Sequence, residues 1–162
     1  MKVFFASDHA GFELKNNLVA WVKEVGHEAV DLGPYSFNPD DDYPDFVRLV
    51  AMEVSKDPEN TRGIILGGGG QGEAMVANRL PFIRTAVFYG PVKPLTAINR
   101  EGDTSDNPFE VVILARSHND ANILSLGARF VSLEDARKAV QLFLETPFSN
   151  EERHIRRIKK LN

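Results

Sequence analysis

The stretch Arg62–Glu73, RGIILGGGGQGE, decides the fold. Arg62–Leu66 is a short apolar run, which predicts a buried strand. Gly67-Gly68-Gly69-Gly70 follows at once, and Glu73–Asn78 is predicted as a short helix. Strand, glycine turn and helix in direct succession form part of a parallel strand–helix–strand unit.

The rest of the chain repeats that rhythm. Upstream, Lys2–Ala6 reads as a strand and Phe12–Glu24 as a helix, with Leu14, Leu18, Val19 and Val22 at helical spacing. Glu28–Leu32 is a second strand, closed by Gly33-Pro34. Asp42 is placed as an N-cap with Pro44 just inside the helix, which carries Phe46, Val47, Val50, Ala51 and Val54 on one side. Downstream, Thr85–Tyr89 and Ile123–Leu126 read as strands and Phe109–Ser117 as a helix. Ser132 and Asp135 resemble a capping box for a helix reaching about Glu145, although Asp is shorter than the usual Glu or Gln. A basic helix from about Glu151 closes the chain. Five strands alternating with helices predict an α/β domain over residues 1–162, its parallel sheet covered on both faces. Gly90–Asn107, with Pro91 and Pro94, is a long insertion without periodicity. It suits a lid or binding loop and equally a tolerated surface insertion.

Composition narrows the class. The chain has 162 residues, of which 43% are apolar and 26% charged, as in ordinary globular proteins. It has no cysteine, which excludes disulfides, cysteine metal sites and a thiol nucleophile. No apolar run approaches the roughly 18 residues that span a bilayer, and a strand starting at Lys2 leaves no room for a signal peptide; a cytoplasmic protein is expected. Net charge is −4. Residues 151–162 hold five cations against two acids, a net of +3, so residues 1–150 carry −7. A mostly acidic body argues against nucleic acid as a partner, whereas a small cationic spot suits a small anion.

In parallel sheets, ligands bind at the carboxyl ends of the strands. The residues there are Ser7, Asp8 and His9 after the first strand, the glycine run and Glu73 after the third, and Gly127 and Arg129 after the fifth. The glycines fit G-x-G-x-x-G, but a dinucleotide fold places that fingerprint after its first strand, with an acid about 20 residues on. Successive N–H groups turned toward one point favour an anion; a tight connector is the plain alternative. Glu73 is ionised at neutral pH if unperturbed, and so able to accept a proton, or it is simply a first-turn helix acid. Asp8 is either an acid–base group or a helix cap. His118 suits the negative end of a helix. His27 is placed at the surface. Arg153 and Arg157, four apart, present forked donors suited to a phosphate, or form a solvated basic turn. No spacing suggests a metal site, and no G-x-S-x-G elbow a serine hydrolase.

Six co-linear blocks carry a family resemblance: SDHAGFELK at Ser7–Lys15, DDDYPDF at Asp40–Phe46, GGGGQGEAMVANR at Gly67–Arg79, RSHNDAN at Arg116–Asn122, LGAR at Leu126–Arg129 and ERHIRRI at Glu152–Ile158. The chain resembles the B-type ribose-5-phosphate isomerases of the ribose and galactose phosphate isomerase family. The resemblance implies an α/β/α sandwich with a five-stranded parallel, Rossmann-like sheet. It implies a homodimer or dimer of dimers with sites between subunits, and aldose–ketose isomerisation of a sugar phosphate without metal or cofactor, in the pentose phosphate pathway. By motif, Asp8 and His9 contact the sugar near the reacting carbons, Tyr43 lines the cleft, and His118 assists ring opening beside Asn119. Arg129, Arg153 and Arg157 hold the phosphate, and the backbone of Gly68, Gly69, Gly70, Gln71 and Gly72 stabilises an enediolate. Many members place a cysteine base where this chain has Gly67, and a threonine or serine where it has Gly69. A branch without that cysteine uses a glutamate, which matches Glu73. The implied reaction interconverts D-ribose 5-phosphate and D-ribulose 5-phosphate with Glu73 as base. The alternatives are a six-carbon sugar phosphate, such as allose or galactose 6-phosphate, and a phosphosugar-binding module without turnover.

Overall fold

Five strands run parallel in one sheet: β1 (Lys2–Ser7), β2 (Glu28–Asp31), β3 (Thr61–Gly67), β4 (Thr85–Phe88) and β5 (Ile123–Gly127), in the order β2-β1-β3-β5-β4. The computed structural model describes residues 1–161. Successive side chains of a strand point to opposite faces, so the central strands feed two cores. Val3, Phe5, Ile64, Leu66, Leu124 and Leu126 face one side, and Phe4, Ala6, Ile65 and Ile123 the other.

The first core is closed by α1 (Phe12–Glu24), α4 (Glu110–Ser117) and α5 (Leu133–Glu145), through Leu18, Val22, Val112, Ala139 and Phe143. The second is closed by α2 (Tyr43–Lys56) and α3 (Gln71–Ala77), through Val47, Val50, Ala51, Val54 and Ala77. A last helix, α6 (Glu152–Ile158), buries His154. The result is the three-layer α/β/α sandwich. Strands buried on both faces read as continuous apolar runs rather than alternating ones, which is why RGIIL was legible as a strand.

Local readings were corrected in four places. Asp42 occupies the N-cap position of α2 in an extended conformation, but its side chain makes no cap hydrogen bond. Ser132 Oγ accepts from Asp135 N–H at 3.1 Å, yet the Asp135 carboxylate meets Ser132 Oγ at 2.7 Å instead of a backbone amide. Aspartate lacks the methylene a full capping box needs. α3 begins two residues early, at Gln71, because Gly70 sits in the left-handed region at φ +76°. His27 is half-buried beside Trp21 and Gln141, and its Nδ1 is buried without a hydrogen-bond partner.

Residues 89–109 form neither strand nor α-helix. Val92 N–H donates to the Pro108 carbonyl at 2.7 Å, pinning the base of this long segment.

Candidate active site

The strand order places a switch point between β1 and β3, where the chain leaves toward opposite edges of the sheet and a crevice opens. The two strands pair in register through Ser7 and Leu66, and the Asp8 amide donates to the Leu66 carbonyl at 3.3 Å. Asp8 and Gly67 therefore stand side by side at the carboxyl edge.

Glu73 projects into this corner from α3 and is only 4% exposed. Its carboxylate fills the space beside Gly67: a Cβ built on Gly67 would lie 1.6 Å from Glu73 Oε1. With α3 starting at Gln71, Glu73 lies in its first turn and is buried. Burial raises the Glu73 pKa above 4.5 and the Asp8 charge adds to the effect, while the amides of Glu73 and Gly70 oppose it.

Asp8 does cap the turn after β1, its Oδ1 accepting from the amides of Ala10 at 2.9 Å and Gly11 at 3.2 Å. The cap fixes an anion near Glu73. His9 is held by Asp41, whose Oδ1 accepts from the His9 amide at 2.9 Å and lies 2.8 Å from Nδ1. A carboxylate only accepts, so Nδ1 donates to Asp41 and Nε2 is left free of that contact. Asp41 was missed as a site residue; its signal was the acidic run directly before Tyr43. The Tyr43 hydroxyl lies 2.7 Å from the Cβ position of Gly72, and the Arg129 guanidinium 3.3 Å from that of Gly68.

The glycine loop is anchored by its carbonyls. Ala128 N–H donates to Gly67 O at 2.8 Å, Arg129 N–H to Gly68 O at 3.3 Å, and Ser125 Oγ to Gly70 O at 2.7 Å. Among the described residues, no backbone bond outside helices and strands takes its donor from Gly68, Gly69, Gln71 or Gly72. Fixed carbonyls with unclaimed amides between them are suited to a developing oxyanion.

His118, Arg153 and Arg157 form a second group. They line a cavity of about 270 Å³ together with Arg100 and Arg156, and none of Asp8, His9, Tyr43, Glu73 or the glycines borders it. Within one chain the two groups are therefore separate. His118 caps the C-terminus of α4 and lies against His154, with ring centroids 4.3 Å apart and ring planes tilted by 38°. Burial, then the charges of His154 and Arg153, lower its pKa below 6.5, so the neutral form prevails at pH 7. Arg156 was not singled out from the sequence, although it lies in the same ERHIRRI block. Asn119 borders a different cavity, of about 470 Å³, with Arg84 and Thr85. That larger cavity offers no free base, and Arg84 is committed to Asp120 at 2.7 Å.

Among the described residues, no group of three or more His, Asp or Glu side chains is placed to hold a metal ion. Among the described residues, no helix is long and apolar enough to cross a membrane.

Residues 3–97 and 107–161 match the Ribose/Galactose Isomerase family. The chain belongs to that family. Ribose-5-phosphate isomerase B of Mycolicibacterium paratuberculosis is 37% identical over 158 residues, 98% of this chain and 87% of that protein. The Escherichia coli protein of the same name is 32% identical over 160 residues, 99% of this chain and 93% of its own. In three dimensions, Mycoplasma genitalium ribose-5-phosphate isomerase B with bound ribulose-5-phosphate superposes with a TM-score of 0.85 and 36% identity, covering 99% of this chain and 93% of that one.

Use of Glu73 as the base of an isomerase would give its environment a kinetic signature. A base must be ionised, so a raised pKa moves the acid limb of the rate upward. The kcat/KM profile is expected to fall as pH drops through a midpoint above the ordinary 4.5 of glutamate. Stopped assays between pH 4 and 8 check this; a midpoint at or below 4.5 would place the working carboxylate in water-like surroundings.

Proposed function

We propose that the protein is a ribose-5-phosphate isomerase that interconverts D-ribose 5-phosphate and D-ribulose 5-phosphate through a cis-enediolate, with Glu73 as the base. The observation that carries the assignment is the Glu73 carboxylate seated beside Gly67, at the head of the glycine loop. The names of the relatives and the ribulose-5-phosphate held by the Mycoplasma genitalium enzyme support the substrate.

In the aldose-to-ketose direction, neutral His118 takes the proton of the anomeric O1 hydroxyl and delivers it to the ring oxygen, so that the C1–O ring bond breaks, C1=O1 forms and the furanose opens. Glu73 removes the proton from C2, and the electron pair forms the C1–C2 double bond of the enediolate. The loop amides hold the negative oxygen, a contribution of several kcal/mol for fixed donors in a dry site. Glu73 returns its proton to C1 while the hydroxyl proton passes from O2 to O1, with His9 Nε2 as the acceptor that Asp41 keeps in place. Arg129, Arg153 and Arg157 grip the phosphate, and that remote binding aligns the carbons with the base.

Two half-sites on one chain favour a homodimer or dimer of dimers in which His118 and the α6 arginines of one subunit complete the Glu73 corner of another. A six-carbon sugar phosphate is the second reading, favoured by Ile98, Asn99 and Arg100, which line the arginine cavity and can reshape the substrate mouth.

Incubation with ribose 5-phosphate in heavy water is expected to give ribulose 5-phosphate carrying deuterium at C1, read by proton NMR. Unlabelled product would indicate a hydride shift instead of an enediolate. Binding without turnover of any five- or six-carbon aldose phosphate would leave a phosphosugar-binding module.

A further inference from the structure

Residues 98–106 lie between the two stretches that match the family. They close on themselves: Ile98 N–H donates to Asp103 O at 2.8 Å, Asn99 Nδ2 to Asp103 Oδ2 at 2.8 Å, and Asp103 N–H to Asn99 Oδ1 at 3.0 Å. The closed loop lays Arg100 and Glu101 against α6. Arg100 joins Arg153, Arg156 and Arg157 around the 270 Å³ cavity. Glu101 bridges two of these cations, with Oε1 2.5 Å from Arg100 Nε and Oε2 3.6 Å from Arg153 Nη1.

Arg153 is incompletely satisfied. Its Nε is buried and ion-paired with Glu151 Oε2 at 2.8 Å, a contact that does not meet hydrogen-bond geometry. A poorly aligned ion pair leaves the guanidinium able to take a better-placed acceptor. Glu101 is about half exposed, at 47%, so its carboxylate can swing into water at small cost. A phosphate monoester carries nearly twice the charge of a carboxylate and has three oxygens for forked donors.

We propose that residues 98–106 build an anion latch into the phosphate half-site: Glu101 ties Arg100 to Arg153 until the substrate phosphate displaces it and takes Arg100 as an additional ligand. The latch rests on the phosphate role given above to Arg153 and Arg157. It makes Arg100 a binding residue and Glu101 an internal competitor of the substrate, both supplied by a segment outside the matched family core.

Titration calorimetry with inorganic phosphate tests the latch without any need for turnover. Arg100→Ala is expected to weaken phosphate about tenfold, the effect of one charge-assisted contact, with the larger part of its kinetic loss falling on KM rather than kcat. Glu101→Gln is expected to tighten phosphate about threefold or more by removing the competitor, and to lower KM in step. Both positions are solvent-facing, and circular dichroism checks that the fold is kept. Unchanged phosphate affinity in Arg100→Ala, or weaker phosphate in Glu101→Gln, overturns the latch. If no sugar phosphate is turned over, the isomerase assignment fails, while the two phosphate shifts still decide the latch.

Discussion

Glu73→Gln is expected to lower kcat at least about a hundredfold, the usual scale of a positioned general base, with little change in KM. Glutamine keeps the shape and the hydrogen-bonding reach of the side chain but accepts no proton from carbon. The loss should therefore appear in the chemical step, and deuterium washout from C2-labelled substrate should vanish with it. Stability supplies an independent readout. Because the folded-state pKa of Glu73 is raised, the native protein binds this proton more tightly than the unfolded chain does. Ionisation of Glu73 then opposes folding. That penalty is absent below the unfolded value near 4.5, grows as pH rises, and is complete above the folded value. Glu73→Gln should thus melt at a higher temperature than the parent at pH 8 and show no such gain at pH 4. A variant that keeps full activity removes Glu73 from the mechanism; one that loses activity and also stability at pH 8 makes the carboxylate a structural group.

Gly67→Ala is expected to disable the enzyme nearly as completely. The added methyl would lie 1.6 Å from Oε1 and 2.2 Å from Cδ of Glu73, distances no pair of unbonded atoms tolerates. Either the carboxylate rotates out of the corner or the β3–α3 turn shifts, and the buried sides of both elements resist the second course. A displaced base loses its near-attack alignment, for which a 1 Å error costs about a hundredfold. Position 67 and position 73 compete for one volume, so a side chain at 67 and a carboxylate from 73 exclude each other. Resemblance to family members with cysteine at this place gives the rescue. Gly67→Cys combined with Glu73→Ala should recover at least about tenfold over Glu73→Ala alone, because the thiolate then stands where the carboxylate stood. Steady-state rates of the four proteins decide the point; wild-type activity in Gly67→Ala would show that the corner is not where the proton moves.

The contrast between positions 67 and 73 also shows what is legible in a linear chain. Helix α1 was read end to end, Phe12–Glu24, since Leu14, Leu18, Val19 and Val22 repeat with the helical period. The short start of α3 was misplaced because the left-handed turn at Gly70 is a backbone choice that four identical glycines conceal. Asp8 looked equally like a cap and a reacting group; the structure makes it a cap that also charges the Glu73 corner. His27 looked solvent-facing because its neighbour in space, Gln141, is more than a hundred residues away. Asp41 passed unnoticed for the same reason, lying 32 residues from the histidine it orients.

By itself the sequence determined the strands, the helices, their parallel stacking and the chemical kinds of residue gathered at one sheet edge. Those properties depend on periodicity and on neighbours within a few positions. Only the tertiary structure decided that the Glu73 carboxylate fills the space beside Gly67, that Asp41 holds the His9 ring, and that the arginines of α6 stand apart from Glu73 within one chain. Such facts arise where distant segments meet at a crossover, and the distances that matter there are set by packing between layers, which no local pattern encodes.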